Sequence, residues 1–436
     1  MSDLMEREKM TRTSPMPDLA HLIRVFARIG LLSFGGPAAQ IALMHKELVE
    51  DRDWLSERQF LNALSFCMLL PGPEAMQLAT YAGWRIAGTR GGLIAGGLFV
   101  LPGAVLILGL AMLYGAFGQV PLAAAMFLGI KATVIIIVIQ ALIKVSRKAL
   151  ISALAYGLAG AAFIGIFFLH IPFPLIILGA ALIGALFMTG DRPDAPLPPP
   201  VSPGQTFRTI ALWLMIWLLP VLALWLSAPD TVLTQLGLFF AKLAVVTFGG
   251  AYAVLAYMVQ QVVGDFGWLT TGQMMDALGL AETTPGPLIL VTEFVGYLAG
   301  AQAGGPGYGV AAVLVTLWVT FAPCFLWIFA GAPYVEWISH QPRLTGALTA
   351  ITAAVVGVIL NLSLWFALNV FFGEVSRATF GPVQLWLPAP GTLSVAAVAL
   401  SGLAAVLLLW LRLDLLKVIG LMLLPGIALH LLMTGI

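Results

Sequence analysis

Apolar runs of about 20 residues, enough for a helix to cross roughly 30 Å of hydrocarbon, recur along this chain, as at Gly91–Tyr114, Leu122–Ile143 and Leu393–Leu411. The pattern predicts four spans in an N-terminal half, near 92–118, 121–143, 150–169 and 173–189. Four more follow in a C-terminal half, near 308–332, 345–371, 393–411 and 416–435. Polar and proline-rich stretches punctuate the rest. Residues 1–18 form a polar tail without the apolar core of a signal peptide. Residues 190–206 (GDRPDAPLPPPVSPGQT) read as a linker that cannot span a membrane. The halves are therefore 19–189 and 231–436, with a single connecting transmembrane helix at 207–227.

An internal repeat organises these spans. Residues from Phe26 onward align without a gap to residues from Phe240 onward, a constant shift of 214. Ser33-Phe34-Gly35-Gly36 matches Thr247-Phe248-Gly249-Gly250, Trp54-Leu55 matches Trp268-Leu269, and Pro71-Gly72-Pro73 matches Pro285-Gly286-Pro287. Aligned tryptophans and a repeated PGP exceed what shared hydrophobicity produces.

Charge then suggests how the halves face. The loop from His45 to Arg58 carries Lys46, Arg52 and Arg58, whereas its counterpart from Val259 to Gly272 carries no Lys or Arg. Basic loops mark the cytoplasmic side, so the two loops belong on opposite faces and the repeats are inverted. Arg24, Lys46, Arg52, Arg58, Arg85 and Arg90 flank the SFGGP and PGP turns of the first half. If all are cytoplasmic, each stretch enters and leaves by one face as a broken, re-entrant hairpin; four continuous spans in their place would give up to 13 helices. The expected fold is an all-α polytopic integral membrane protein, two inverted-topology repeats with re-entrant hairpins at SFGGP and PGP. The tail and the linker would be cytoplasmic. With 60% hydrophobic residues and 9% charged, against roughly 25% in ordinary soluble domains, the chain could not cover its own surface in water.

Broken helices supply the candidate chemistry. Half-helix N-termini present free N–H groups and a positive dipole end, which suit an anion. Non-helical backbone at membrane depth must be buried or line a cavity. Beside the first break of each half stand a cation and a hydroxyl, Arg28 with Ser33 and Lys242 with Thr247. The candidate substrate-binding residues are Arg28, Ser33, Phe34, Gly35, Gly36, Pro71, Gly72, Pro73, Lys242, Thr247, Gly249, Gly250, Pro285, Gly286 and Pro287. The bland alternative is close helix packing at the glycines, with Arg28 snorkelling to headgroups. Glu74, Glu282 and Glu293 lie near the PGP turns and are proton-coupling candidates, since ionisable groups at depth often mark ion pathways. Capping and ion pairing are the alternative roles. Cys67 and Cys324 stand alone, the five histidines are scattered, and nucleotide and metalloprotease motifs are absent. No metal, cofactor or enzymatic activity is therefore expected. The net charge of +1 names no partner, and no nucleic acid is expected.

SFGGP at 33–37, Trp54-Leu55, LPGPEAMQLATYAGW at 70–84 and TPGPLILVTEFVGY at 284–297 together resemble the chromate ion transporter family, in its long, two-domain bacterial form. The resemblance implies a multi-pass protein of the bacterial inner membrane, with its N-terminus cytoplasmic. It implies export of chromate that confers resistance, coupling to protons as an antiporter, and sulfate as a competitor. It carries the family's motif positions onto Ser33 to Pro37, Pro71 to Glu74 and Pro285 to Pro287. The second half reads TFGGAY, without the proline of Pro37, so its site need not be equivalent. Transport of sulfate or another oxyanion, and a passive anion channel, remain alternatives. Beyond substrate and protons the partners expected are the bilayer and, as one option, a second copy in a homodimer.

Overall fold

The computed structural model describes residues 17–118, 120–188, 203–248, 251–335 and 341–434, and it is all-helical but for one small hairpin. Residues 1–16 of the polar tail, residues 190–202 of the linker, and Gly249 and Gly250 lie outside the described residues.

The first half begins with α1 (Leu19–Leu32), capped by Asp18, and α2 (Gly36–His45), which runs into a π-helical turn at Lys46–Glu50. A capping box of Ser56 and Gln59 starts α3 (Glu57–Leu69), satisfying two N–H groups that the helix start leaves free. After Pro71-Gly72-Pro73 comes α4 (Glu74–Phe117), which is two helices in one. Ala87 (φ −137°, ψ 28°) and Gly88 (φ 63°, ψ −158°) interrupt it, and the arms 74–86 and 89–117 fold against each other. They approach so closely at Gly83 and Gly91 that a Cβ on either would collide with the other's carbonyl. Then follow α5 (Pro121–Ala149), α6 (Ala153–Phe167) and α7 (Phe173–Phe187). The connecting helix is α8 (Pro203–Ser227), stitched to the second half by Trp217 Nε1–H donating to the Val319 carbonyl at 3.0 Å.

The second half opens with the same succession. α9 (Val232–Val246) and α10 (Ala251–Val259) come first, with a π-helical turn at Gln260–Asp265. A Thr270–Gln273 capping box starts α11 (Thr271–Thr283). A short 3₁₀ turn, Leu288–Leu290, leads into α12 (Val291–Gly331), itself folded at Gly304 and Gly305 into arms 291–303 and 306–331. α13 (Pro342–Phe371), α14 (Val395–Ala405, extended by a π turn to Trp410) and α15 (Leu415–Thr434) complete the bundle.

Small residues set the closest approaches, as expected where hydrocarbon cannot drive apolar helices together. Gly30 of α1 lies on Leu98 and Phe99 of α4, Gly129 of α5 on Met422 of α15, and Gly357 of α13 on Ala159 of α6. Among the described residues, five helical stretches are long and apolar enough to cross a membrane: Glu74–Phe117, Ala125–Ala149, Gly204–Ser227, Leu288–Tyr334 and Pro342–Phe371. One sequence expectation needs correction. α6 and α7 are only 15 residues each, about 22 Å of helix, rather than full spans at 150–169 and 173–189. Before α14 lies a hairpin that the apolar pattern did not announce. Val375–Phe380 (β1) and Val383–Pro388 (β2) pair antiparallel around Gly381, with the Arg377 guanidinium 4.2 Å over the Trp386 ring.

Candidate functional site at the meeting of the broken helices

Contacts along the long arm of α4 show how the two PGP turns approach. In the first half, Gly83 faces Gly91 and Met76 faces Gly96, so this turn comes in from the arm's N-terminal end. In the second, Asp276 reaches Tyr114 and Pro285 reaches Gly103, so that turn comes in from the C-terminal end. The turns meet near the arm's middle. There the Gly72 N–H donates to the Thr247 carbonyl at 2.8 Å, and the Gly286 N–H donates to the Ser33 carbonyl at 2.9 Å. The second bond is the first one displaced by 214 residues with the partners exchanged. Each half thus closes the other's broken helix. A buried amide left unpaired costs about 1–3 kcal/mol, so the exchange removes four orphan groups at once. Gly72 (φ 117°) and Gly286 (φ 88°) hold the left-handed backbone that aims these N–H groups.

A small cavity, about 20 Å³, lies at this meeting point. It is lined from α2 by Pro37 and Gln40, from the first PGP turn and the start of α4 by Gly72, Pro73, Glu74 and Ala75, and from the second PGP turn by Pro287, Leu288 and Ile289. Three helix starts therefore converge on one spot. The volume holds about one water, less than a tetrahedral oxyanion needs.

Of the residues singled out from sequence, Gly72, Pro73, Glu74 and Pro287 line the cavity. Gly286, Ser33 and Thr247 do not line it but join the turns beside it through their backbones. The Ser33 and Thr247 hydroxyls both turn back on their own helices, to the Ile29 and Leu243 carbonyls, each at 2.6 Å. Pro71 offers its carbonyl to Gln77 Nε2 at 2.7 Å, and the Pro285 carbonyl packs on Gly103. Phe34 closes a tight turn onto the Leu32 carbonyl, while Gly35 and Gly36 turn the chain into α2 with φ of 83° and 78°. Arg28 and Lys242 stand apart from the cavity, contrary to expectation. Arg28 lies 3.5 Å from the buried Glu47 carboxylate, and the Lys242 ammonium lies 5.8 Å over the Tyr257 ring. Helical direction explains this: both side chains project outward from α1 and α9, away from the faces packed on α4 and α12.

The acids separate as well. Glu282 is buried and accepts from Tyr252 OH at 2.8 Å. Glu293 is fully buried, and neither carboxylate oxygen has a hydrogen-bond partner. Sequence reasoning missed Gln40, whose Nε2 donates to the Gly286 carbonyl at 2.7 Å and the Ser33 carbonyl at 3.2 Å. It also missed Gln77 and Asp276. For Gln40 and Gln77 the available signal was a polar residue in a helix a few positions after a break; for Asp276 it was an acid within α11, ahead of one.

Broken helices that meet tip to tip inside an apolar bundle define a multi-pass, all-helical membrane transporter. The chain belongs to the chromate transporter family, whose model matches residues 20–185 and 234–429. It is similar to a protein of Synechococcus elongatus named probable chromate transport protein, 30% identical over 90% of this chain and 98% of the relative. It is also similar to proteins named chromate transport protein from Pseudomonas aeruginosa and Cupriavidus metallidurans, 33% and 31% identical, each over 80% of this chain and 81% and 82% of those relatives. No solved structure matches the chain.

Proposed function

We propose that this chain exports chromate, or a similar tetrahedral oxyanion such as sulfate, across the bacterial inner membrane by alternating access between two inverted repeats, coupled to the proton gradient. The observation that carries the reading is the reciprocal pair of bonds, Gly72 to Thr247 and Gly286 to Ser33, around a cavity lined by three helix starts. Re-entrant hairpins entering from opposite faces account for that exchange and for the one-sided basic loop. N-terminal dipole ends and free amides favour a doubly charged guest. The cavity is too small for one in this conformation, so binding and release require the hairpins to part, first on one face and then on the other. In the inward-open state Arg28, released from Glu47, and Lys242 are the cations nearest the breaks. Glu293, buried without a partner, and Glu282, held by Tyr252, are the proton carriers this reading selects. Glu74 sits where the anion would sit, and its charge competes with the substrate's.

The test is uptake of labelled chromate and sulfate into everted vesicles with and without an imposed proton gradient. Accumulation should need the gradient, Glu293→Gln or Glu282→Gln should uncouple it, and Arg28→Ala should weaken it. Flux indifferent to the gradient in the native chain would replace the antiporter with a passive channel.

A further inference from the structure

A second cluster lies at the far end of α4, remote from the meeting point of the turns. The Lys131 ammonium of α5 is 3.1 Å from Asp276 Oδ1 of α11, and Tyr114 OH of α4 donates to Asp276 Oδ2 at 2.8 Å. Asp276 is 5% exposed. Of the ion pairs among the described residues, this is the one that joins the first half to the second; the others, at Glu47 and His45, lie within the first half. The repeat places Asn62 at the position equivalent to Asp276, so the first half has no such acid. Beside the cluster is an apolar cavity of about 490 Å³ bordered by Tyr114, Ile130, Leu280 and Thr283, with Ile419 and Leu423 of α15 opposite. Packed interiors transmit strain but do not yield without free volume. Here the volume adjoins the contact that would have to move.

We propose that Lys131, Asp276 and Tyr114 form the gate at the mouth opposite the basic loop, and that the departing oxyanion opens it by replacing Asp276 as the counter-ion of Lys131. Parting a buried ion pair strands a charge, so such a gate stays shut until another anion arrives. A dianion leaving the central cavity supplies one. Asp276 keeps its bond to Tyr114 meanwhile, and Lys131 becomes the last cation on the path. This rests on the alternating-access reading given above, but the first measurement below needs no assumption about substrate.

Thr284 is buried about two turns beyond Asp276 toward the PGP turn and does not border the apolar cavity, so a thiol there reports water passing the gate. Thr284→Cys is labelled with a membrane-impermeant maleimide from the side of the Val259–Gly272 loop, with the native Cys67 and Cys324 chain as background. Adding Asp276→Asn should raise the labelling rate about tenfold, the shift that loss of roughly 1.4 kcal/mol of closing energy produces. Chromate efflux is then compared in Asp276→Asn and Lys131→Gln. The gate leaves the first with efflux and the second without it, because only Lys131 meets the anion. Unchanged labelling in Asp276→Asn overturns the gate. Equal loss of efflux in both variants overturns the counter-ion exchange and leaves a structural strut. If the native chain moves no chromate, the labelling result still decides the gate, and the failure belongs to the proposed substrate.

Discussion

The two loops that precede α3 and α11 share a backbone and differ in almost every side chain that holds them. Both begin with a π-helical turn and end at a Ser/Thr–Gln capping box, 214 residues apart. In the first half Glu47 is gripped by Arg52 at 2.6 Å and Arg28 at 3.5 Å, and His45 bridges Glu50 and Glu57 at 3.0 and 2.7 Å. In the second, Gln261 stands for Glu47, Phe266 for Arg52 and Val259 for His45, and Phe266 stacks on Trp268 with centroids 4.1 Å apart. Charge holds one loop and aromatic area holds the other. Backbone geometry set by capping and glycine tolerates either chemistry, so equivalent frames can carry loops that respond differently to pH, salt and ligand.

The largest expected effect is where the halves are alike. Gly72→Ala and Gly286→Ala force a side chain into left-handed backbone, costing roughly 1–3 kcal/mol each. At Gly72 the new Cβ also meets Gln77 Nε2 at 2.9 Å and Cys324 Sγ at 3.1 Å. Both variants should lose thermal stability and transport, Gly72→Ala more, whereas Gly36→Ala, which meets nothing within 4 Å, should lose less. Unfolding in detergent, followed by a fluorescent thiol probe, ranks the three. If Gly72→Ala behaves like wild type, the tip exchange does not hold the halves together.

Glu47→Ala comes next. It removes the buried acid from two guanidiniums that still reach solvent and should cost about 1–2 kcal/mol, while Gln261→Ala should cost about 0.5 kcal/mol or less; denaturant melts of the two variants sharpen or erase the contrast between loops. Gln40→Leu leaves the Gly286 carbonyl short of a donor, for about 1–3 kcal/mol. Its counterpart Val254 is fully buried and apolar, so Val254→Ile should cost less, a packing change with no donor lost.

The smallest effect is a pH dependence confined to one loop. The hydrogen bond to Glu57, with Glu50 adding to it and partial burial opposing, holds His45 above the usual histidine range. A raised value in the folded state means the clamp is complete below about pH 6.5 and is lost as pH rises through the folded pKa. Beyond the intrinsic rate change, amide exchange over 45–58 should therefore quicken with rising pH, while exchange over 259–272 should not. His45→Gln should flatten the first loop's response. Equal responses in both loops would remove the distinction drawn here.

Much of this was legible locally. Apolar runs located the long helices because a chain with so little charge has no other way to bury itself. Gly and Pro pointed to SFGGP and PGP as interruptions because proline lacks the N–H and glycine takes left-handed backbone without strain. The β1–β2 hairpin went unread although its Gly381-Pro382 turn sits between residues of strand type, since the apolar spans on either side dominate the pattern. Arg28 looked like a ligand for an anion because nothing nearby in sequence announces that the π turn delivers Glu47 to it.

The sequence by itself determined a helical membrane protein whose segments from Phe26 and Phe240 match at a fixed offset, because each of these follows from hydropathy and residue identity; the folds at Ala87-Gly88 and Gly304-Gly305 it did not announce. Only the tertiary structure decided that Gly72 answers Thr247 while Gly286 answers Ser33, that Gln40 rather than Arg28 touches the cavity, and that Lys131 is matched to Asp276. Those pairings join groups more than a hundred residues apart. What selects them is that every buried donor, acceptor and charge must find a partner somewhere in the bundle, a condition satisfied by the whole fold and by no single segment of it.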